Sequence, residues 1–287
     1  IRKIDLNGQT GTLAGLGIPG YADGPGVSTR FNRPLDVVLD PDGNLFVADA
    51  ANYVIRKIAT NGAVSLFAGT PGVSGEADGT ALQATFGWPA ALAIDTEGNL
   101  YVSGSATIRK ITPAGMVSTV YTASGPVSSL DVDRSGTLYF SNNSTLKVQK
   151  MTSSGVLTDV AGGSIGCADG IGADAQFGSI DDLDADDSGN VYVADGANSA
   201  IRKIDATGAV VTLVGSDCLN EYNYDQQPAD GSGQFARLGR MRGILLKPSG
   251  NLLVTAWDHD MVREIRLGSA PARKVVVRSS SIEPFYK

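Results

Sequence analysis

The sequence predicts an all-β fold: a β-propeller of four-stranded antiparallel blades, six in all, one of them half present. Three observations predict it. One pattern, a tight turn, a short apolar strand, a small-residue turn and a second strand, occurs at 43–58, 98–111, 136–151, 189–204 and 250–265. Its last part alone, Ile1-Arg2-Lys3-Ile4, opens the chain. The marker residues Arg2, Arg56, Arg109, Gln149, Arg202 and Arg263 follow one another at 54, 53, 40, 53 and 61 residues. A period of roughly 40–50 residues holding four short strands is a propeller blade.

Residues 1–15 supply two strands that match the third and fourth of a blade, so that copy lacks its two inner strands. This predicts an excerpt or processed product of a longer protein. Complete blades are expected at 31–69, 86–123, 127–163, 177–215 and 238–278, with 279–287 as a tail and the whole of 1–287 as a single domain. In the first complete blade the apolar runs are 36–40, 45–48, 54–58 and 64–68. Pro41-Asp42-Gly43, Ala50-Ala51-Asn52 and Thr60-Asn61-Gly62 separate them. Asp-Gly and Asn-Gly between apolar runs of this length signal hairpins. The runs are rich in the β-branched and aromatic residues that favour strands. None is long enough for an amphipathic helix. Ile55 and Ile58 lie on opposite faces of one strand, and both are apolar because a blade packs on both sides.

The pattern as a whole is an apolar strand, Asp-x-x-Gly-Asn-Leu-Tyr-Val-Ala-Asp, a small turn with Asn, then Ile-Arg-Lys-Ile. It resembles the NHL repeat, over nearly the whole chain, and the resemblance implies six blades. The Asp that ends the second strand is present as Asp49 and Asp195, and is replaced by Gly104, Asn142 and Ala256 elsewhere. The Asp that closes the first strand is Asp40, Asp95, Asp133 and Asp186, with Lys247 in the last blade, the most divergent one.

A second element precedes four of the five blades. It reads Tyr21-Ala22-Asp23-Gly24 with Phe31, Glu76-Ala77-Asp78-Gly79 with Phe86, Cys167-Ala168-Asp169-Gly170 with Phe177, and more weakly Pro228-Ala229-Asp230-Gly231 with Leu238. These connections are expected on one face, around the mouth of the central channel, where a rigid scaffold tends to carry function. Each Asp is expected to cap its own turn and each Gly to supply a positive φ. One carboxylate per loop falls short of a calcium site, so no metal is expected. The phenylalanines read as plugs packed on the blade. Arg56 and Arg202 should pair across strands with Asp49 and Asp195, an ion pair contributing ~0–1 kcal/mol if exposed.

The formal net charge is −7. Some NHL-type propellers bind RNA on a basic face; this chain lacks the positive excess, so no nucleic-acid partner is expected. No apolar run is long enough to span a bilayer. Cys167 and Cys218 fall in neighbouring loops, an arrangement that permits a disulfide as well as two buried thiols. Asn142 and Asn143 begin overlapping glycosylation sequons on what reads as an exposed turn. With the acidic balance, these place the chain in an extracellular or other extracytoplasmic setting.

Propellers related to NHL repeats include amidating lyases, antibiotic lyases and calcium-dependent hydrolases. The lyases rely on several histidines, whereas this chain has one, His259. The expectation is therefore no enzyme and no cofactor. The chain reads as a module that presents loops to a protein partner or to other domains of its own polypeptide. Candidate contacts are Tyr222 and Tyr224 in the repeat-breaking insertion 217–227, and Trp257 in a polar turn. Trp88 reads as core filling. The alternative is a small-ligand or calcium-dependent hydrolase site at the channel mouth. It would use the residues that begin the innermost strands: Asn32, Asp36, Asp181, Asp182, Arg240 and Arg242.

Overall fold

The structure, a computed structural model, describes residues 1–5, 7–215, 229–256, 261–267 and 276–281, with the backbone alone at 234 and 276–281. It is an all-β propeller in which a two-stranded sheet is followed by five blade sheets. The chain divides into two compact units, Ile1–Val132 and Asp133–Lys287.

In the first unit, Arg2–Ile4 pairs antiparallel with Thr10–Thr12 as the expected half blade. The first complete blade is a meander of Pro34–Leu39, Leu45–Asp49, Val54–Ile58 and Ala63–Ala68. The second is Ala91–Ile94, Leu100–Ser103, Thr107–Ile111 and Met116–Thr122. Leu130–Val132, the first strand of the third repeat, ends the unit. The second unit holds Leu138–Asn142, Lys147–Met151 and Leu157–Gly162. Two further blades follow: Asp182–Ala185, Val191–Asp195, Ala200–Ile204 and Ala209–Val214, then Met241–Leu246, Leu252–Ala256, Met261–Arg266 and Val276–Ser281.

Three of the Asp-Gly connections do more than turn. Gly24–Pro25, Gly79–Thr80 and Gly170–Ile171 each add a two-residue strand to the outer edge of the sheet that follows. That fifth strand pairs an edge that would otherwise expose unpaired backbone.

The closing Asp of each first strand works as a turn cap. Asp40 Oδ1 accepts the Asn44 N–H at 2.7 Å, Asp95 Oδ1 the Asn99 N–H at 2.8 Å, and Asp186 Oδ1 the Asn190 N–H at 2.9 Å. Such Asx bonds fix the hairpin between first and second strands. Gly69 ends the fourth strand at φ 99°, and a Cβ there would sit 2.8 Å from the Tyr53 carbonyl oxygen. Only glycine fits such a left-handed, crowded position.

Packing follows the expectation that both faces are apolar. Phe46, Ala48 and Ile55 of the first blade meet Leu92, Leu100 and Val102 of the second. Their opposite-face neighbours Val47 and Ile58 pack with Ile1, Ala14 and Phe31. In the second unit, Ala194 and Ile201 meet Ile244, Leu252 and Val254.

Candidate functional site

The recurring Arg of the third strand lies at the centre of each loop-bearing blade. A β-bulge falls immediately before it, between Ile55 and Arg56, Ile108 and Arg109, and Ile201 and Arg202. Bulges re-aim side chains, and these Arg side chains are fully buried rather than exposed. Arg56 Nη1 donates to Asp49 at 3.2 Å and to the Arg30 carbonyl at 3.1 Å. Its Nη2 donates to the Ala22 carbonyl at 2.9 Å and to Asp23. Arg202 repeats this with Asp195 at 3.1 Å, the Gln176 carbonyl at 3.0 Å, the Ala168 carbonyl at 3.0 Å and Asp169 at 2.8 Å. The guanidinium lies over Phe31 at 5.2 Å in one blade and Phe177 at 5.4 Å in the other.

Two expectations are corrected here. The Asp of each Asp-Gly loop does not serve its own turn; it reaches the Arg of the blade that follows it, as Asp23, Asp78, Asp169 and Asp230 all do. The Arg–Asp pairs are not exposed cross-strand pairs, because the loop and its Phe close over them. The phenylalanines are buried plugs, as expected.

The second blade lacks the strand-ending Asp, with Gly104 in its place. Glu76, from the loop, supplies the missing carboxylate. It accepts from Arg109 Nη1 at 3.0 Å, Thr107 Oγ1 at 2.7 Å and the Gly87 N–H at 3.1 Å. Asp49 does the same for Arg56 and the Asn32 N–H, at 3.2 and 2.7 Å. In the third repeat Gln149 replaces the Arg and bonds Asp159 at 2.6 Å.

The channel-mouth candidates resolve into backbone staples. Asp36 accepts the Leu92 N–H of the next blade and the Val37 N–H, both at 2.7 Å. Asp182 accepts the Ile244 N–H of its next blade and the Leu183 N–H, both at 2.9 Å. A first strand has no strand beyond it, so these carboxylates take donors that would otherwise lie unpaired. Asp181 is half-buried and accepts the Ser179 hydroxyl at 2.6 Å. Arg240 is half-buried and Arg242 exposed. Among the described residues no group of three or more His, Cys, Asp or Glu is placed to hold a metal ion.

Burial pushes Asp36 above its ordinary value; the Leu92 and Val37 bonds pull it back, and nearby Asp131 raises it further. A raised value means the folded chain holds this proton more tightly than the unfolded one. The associated stability is full below the unfolded value and is lost as pH rises through the folded one. Asp36→Asn should therefore gain on the wild type from about pH 4 upward. Paired urea titrations across pH check this; a difference that stays flat with pH would refute the shift.

Trp88 is not core filling. It is half-buried, with the Arg33 guanidinium over its ring at 5.7 Å and Tyr53 edge-on at 6.3 Å. Arg33 and Tyr53 both have left-handed backbones, φ 54° and 60°. For Tyr53 the repeat demands it, since Leu146 and Ser199 occupy the same turn position with φ 51° and 49°. Arg33 is different: its counterparts Trp88, Ser179 and Arg240 do not share the conformation. A non-glycine residue held this way costs ~1–3 kcal/mol and marks a site where geometry matters. Beside Trp88 lies a shallow, closely packed cleft lined by Glu76, Gly87, Gly104 and Thr107. The signal in the sequence was slight: Arg33 and Trp88 each precede a proline at or just before an inner strand, Pro34 or Pro89.

Asn142 is buried and donates its Nδ2 to Gln149 Oε1 at 3.3 Å, not exposed as expected; Asn143 is half-buried. Tyr222, Tyr224, Trp257 and Cys218 lie outside the described residues.

No family profile matches the chain. Over 183 residues, 52% of this chain, it is 31% identical to Teneurin-3 of Mus musculus, and it spans 6% of that protein's length. Its fold is similar to that of virginiamycin B lyase from Staphylococcus aureus, with TM-score 0.56 and 12% identity over 88% of this chain and 71% of that one. It is also similar to an auxiliary nutrient binding protein from Bacteroides ovatus, with TM-score 0.57 and 15% identity over 94% and 76%. The expectation that the chain is not an enzyme does not stand, because the structures it resembles include a lyase. At these identities the likeness establishes the fold alone: the chain is a β-propeller of an architecture that serves both a lyase and a nutrient-binding protein.

Proposed function

We propose that the chain is an NHL-type propeller that binds a protein partner through its loop-bearing end, with Arg33, Tyr53 and Trp88 at the centre of the contact. The observation that carries this reading is Arg33, held in a left-handed conformation that the repeat does not require, with its guanidinium over Trp88. Trp, Tyr and Arg are the residues enriched at the energetic centres of protein interfaces.

The chain works, in this reading, as a module of a larger extracytoplasmic protein. The partial likeness to Teneurin-3 supports this, as does Cys167, which is not a free thiol. A Cys167–Cys218 disulfide belongs to the same proposal; a native mass that does not rise by two hydrogens on reduction would remove it.

The test is binding by matched variants. Against a partner identified with the wild type, Trp88→Ala should weaken affinity by ~30-fold or more, and Arg33→Ala by ~10-fold, with melting unchanged. Undiminished affinity in both would reject the site.

A further inference from the structure

The proposed binding end is rich in hydrogen-bond donors that the chain itself leaves without acceptors. Arg33 and Tyr53 meet at the Trp88 ring, and among the described residues none of the three side chains makes a hydrogen bond or an ion pair. A guanidinium and an indole N–H can only donate. Arg33 is exposed, so water serves its N–H groups in the free protein.

The buried arginines of the same unit are balanced. Arg56 is held by Asp23 and Asp49, and Arg109 by Glu76 and Asp78. Glu76 lines the cleft beside Trp88, but it already accepts from Arg109, the Thr107 hydroxyl and the Gly87 N–H. A partner that covers Trp88 also takes the guanidinium stacked on it out of water. A charge desolvated without a counter-charge strongly opposes binding. The chain supplies none to Arg33, so the partner has to.

We infer that the partner presents an Asp or Glu side chain to Arg33. This rests on the reading of Arg33, Tyr53 and Trp88 as a binding end. A guanidinium lying on an aromatic face keeps its N–H edge open for a bidentate carboxylate. The acid stands singly rather than in a run: the formal net charge of −7 repels an acidic tract at long range, so the attraction is local to Arg33. A side-chain carboxylate fits better than a chain terminus. Terminal carboxylates are captured in nests of backbone N–H groups, whereas the open donors here belong to side chains.

A displayed library of random linear peptides tests this, selected on the wild-type chain and counter-selected on Trp88→Ala. Each enriched peptide should contain one Asp or Glu whose replacement by its amide weakens binding to the wild type ~10-fold or more. The same replacement should cost nothing on Arg33→Gln, and Arg33→Lys should recover only part of the affinity. Arg134→Gln removes the same charge from an exposed arginine paired with Asp187, and should leave binding unchanged. The inference fails, with the binding end intact, if Trp88-dependent peptides carry no such acid. It fails equally if losing the acid costs as much on Arg33→Gln as on the wild type. Selection that yields no Trp88-dependent peptide would count against the binding end itself, and the inference would go with it.

Discussion

Arg202→Ala should lower the stability of the protein by about 3–5 kcal/mol in urea at neutral pH. Domains are stable by about 5–15 kcal/mol in all, so this single change would remove a large share. The reason is the company the side chain keeps. Asp195 is completely buried, and Arg202 is its buried counter-charge at 3.1 Å. Loss of the Arg also removes the side-chain donor of the Gln176 carbonyl and takes one donor each from the Ala168 carbonyl and Asp169.

Arg202→Lys should recover little, because one ammonium cannot reproduce the planar fork that serves two carboxylates and two carbonyls. The deficit should also depend on pH. Asp195 already sits above the usual carboxylate value, chiefly through burial, against bonds from Asn198 and Ser179 and the charge of Arg202. Without the Arg it rises further. A carboxyl with a raised folded value binds a proton on folding, so the variant's deficit should shrink as pH falls. A loss below about 1 kcal/mol, the range of exposed ion pairs, would contradict the account of these clusters.

Glu76→Ala should cost about 2–3 kcal/mol, since it leaves Arg109 Nη1, the Thr107 hydroxyl and the Gly87 N–H without their shared acceptor. The sharper test is the attempted rescue. If Glu76 merely stood in for a lost strand Asp, Gly104→Asp in the Glu76→Ala background would restore stability. It should fail, because a Cβ at position 104 would lie 2.9 Å from the Trp88 carbonyl oxygen. The second blade has a turn two residues shorter than the first, so the strand end and the Trp88 backbone lie too close for any side chain. Thermal melts of the two variants decide it: full rescue by Gly104→Asp would mean that the loop carboxylate is interchangeable with the strand one.

What the sequence made legible was what is local. The Asp-Gly and Asn-Gly turns, the short apolar runs and the two-faced third strand all depend on neighbours a few residues apart, and the blades fall where these signals predict. The Asp23–Arg56 contact spans 33 residues and depends on a bulge that no residue type announces. Read locally, Asp23-Gly24 is a turn; only the folded loop delivers the carboxylate to the Arg. Gly104 looks like a degenerate repeat position until Glu76 is seen to fill its role. The inner-strand carboxylates were legible as polar groups at one end, but not as staples, because their donors are backbone N–H groups with no sequence signature. The Arg33–Trp88 stack was hidden for a similar reason. Each residue is unremarkable in its own blade, and the juxtaposition exists only once two blades pack.

The measurement that bears most directly on the binding end is site-specific photo-crosslinking. A photoreactive side chain is placed at position 33 in one protein. In another it is placed at position 61, in the Thr60-Asn61-Gly62 turn that joins the third and fourth strands of the same blade. Both are mixed with extracellular extract and their adducts identified. The account predicts one dominant protein adduct from position 33, abolished by Trp88→Ala, and none of that identity from position 61. The same adduct from both positions, or from position 61 alone, would contradict it.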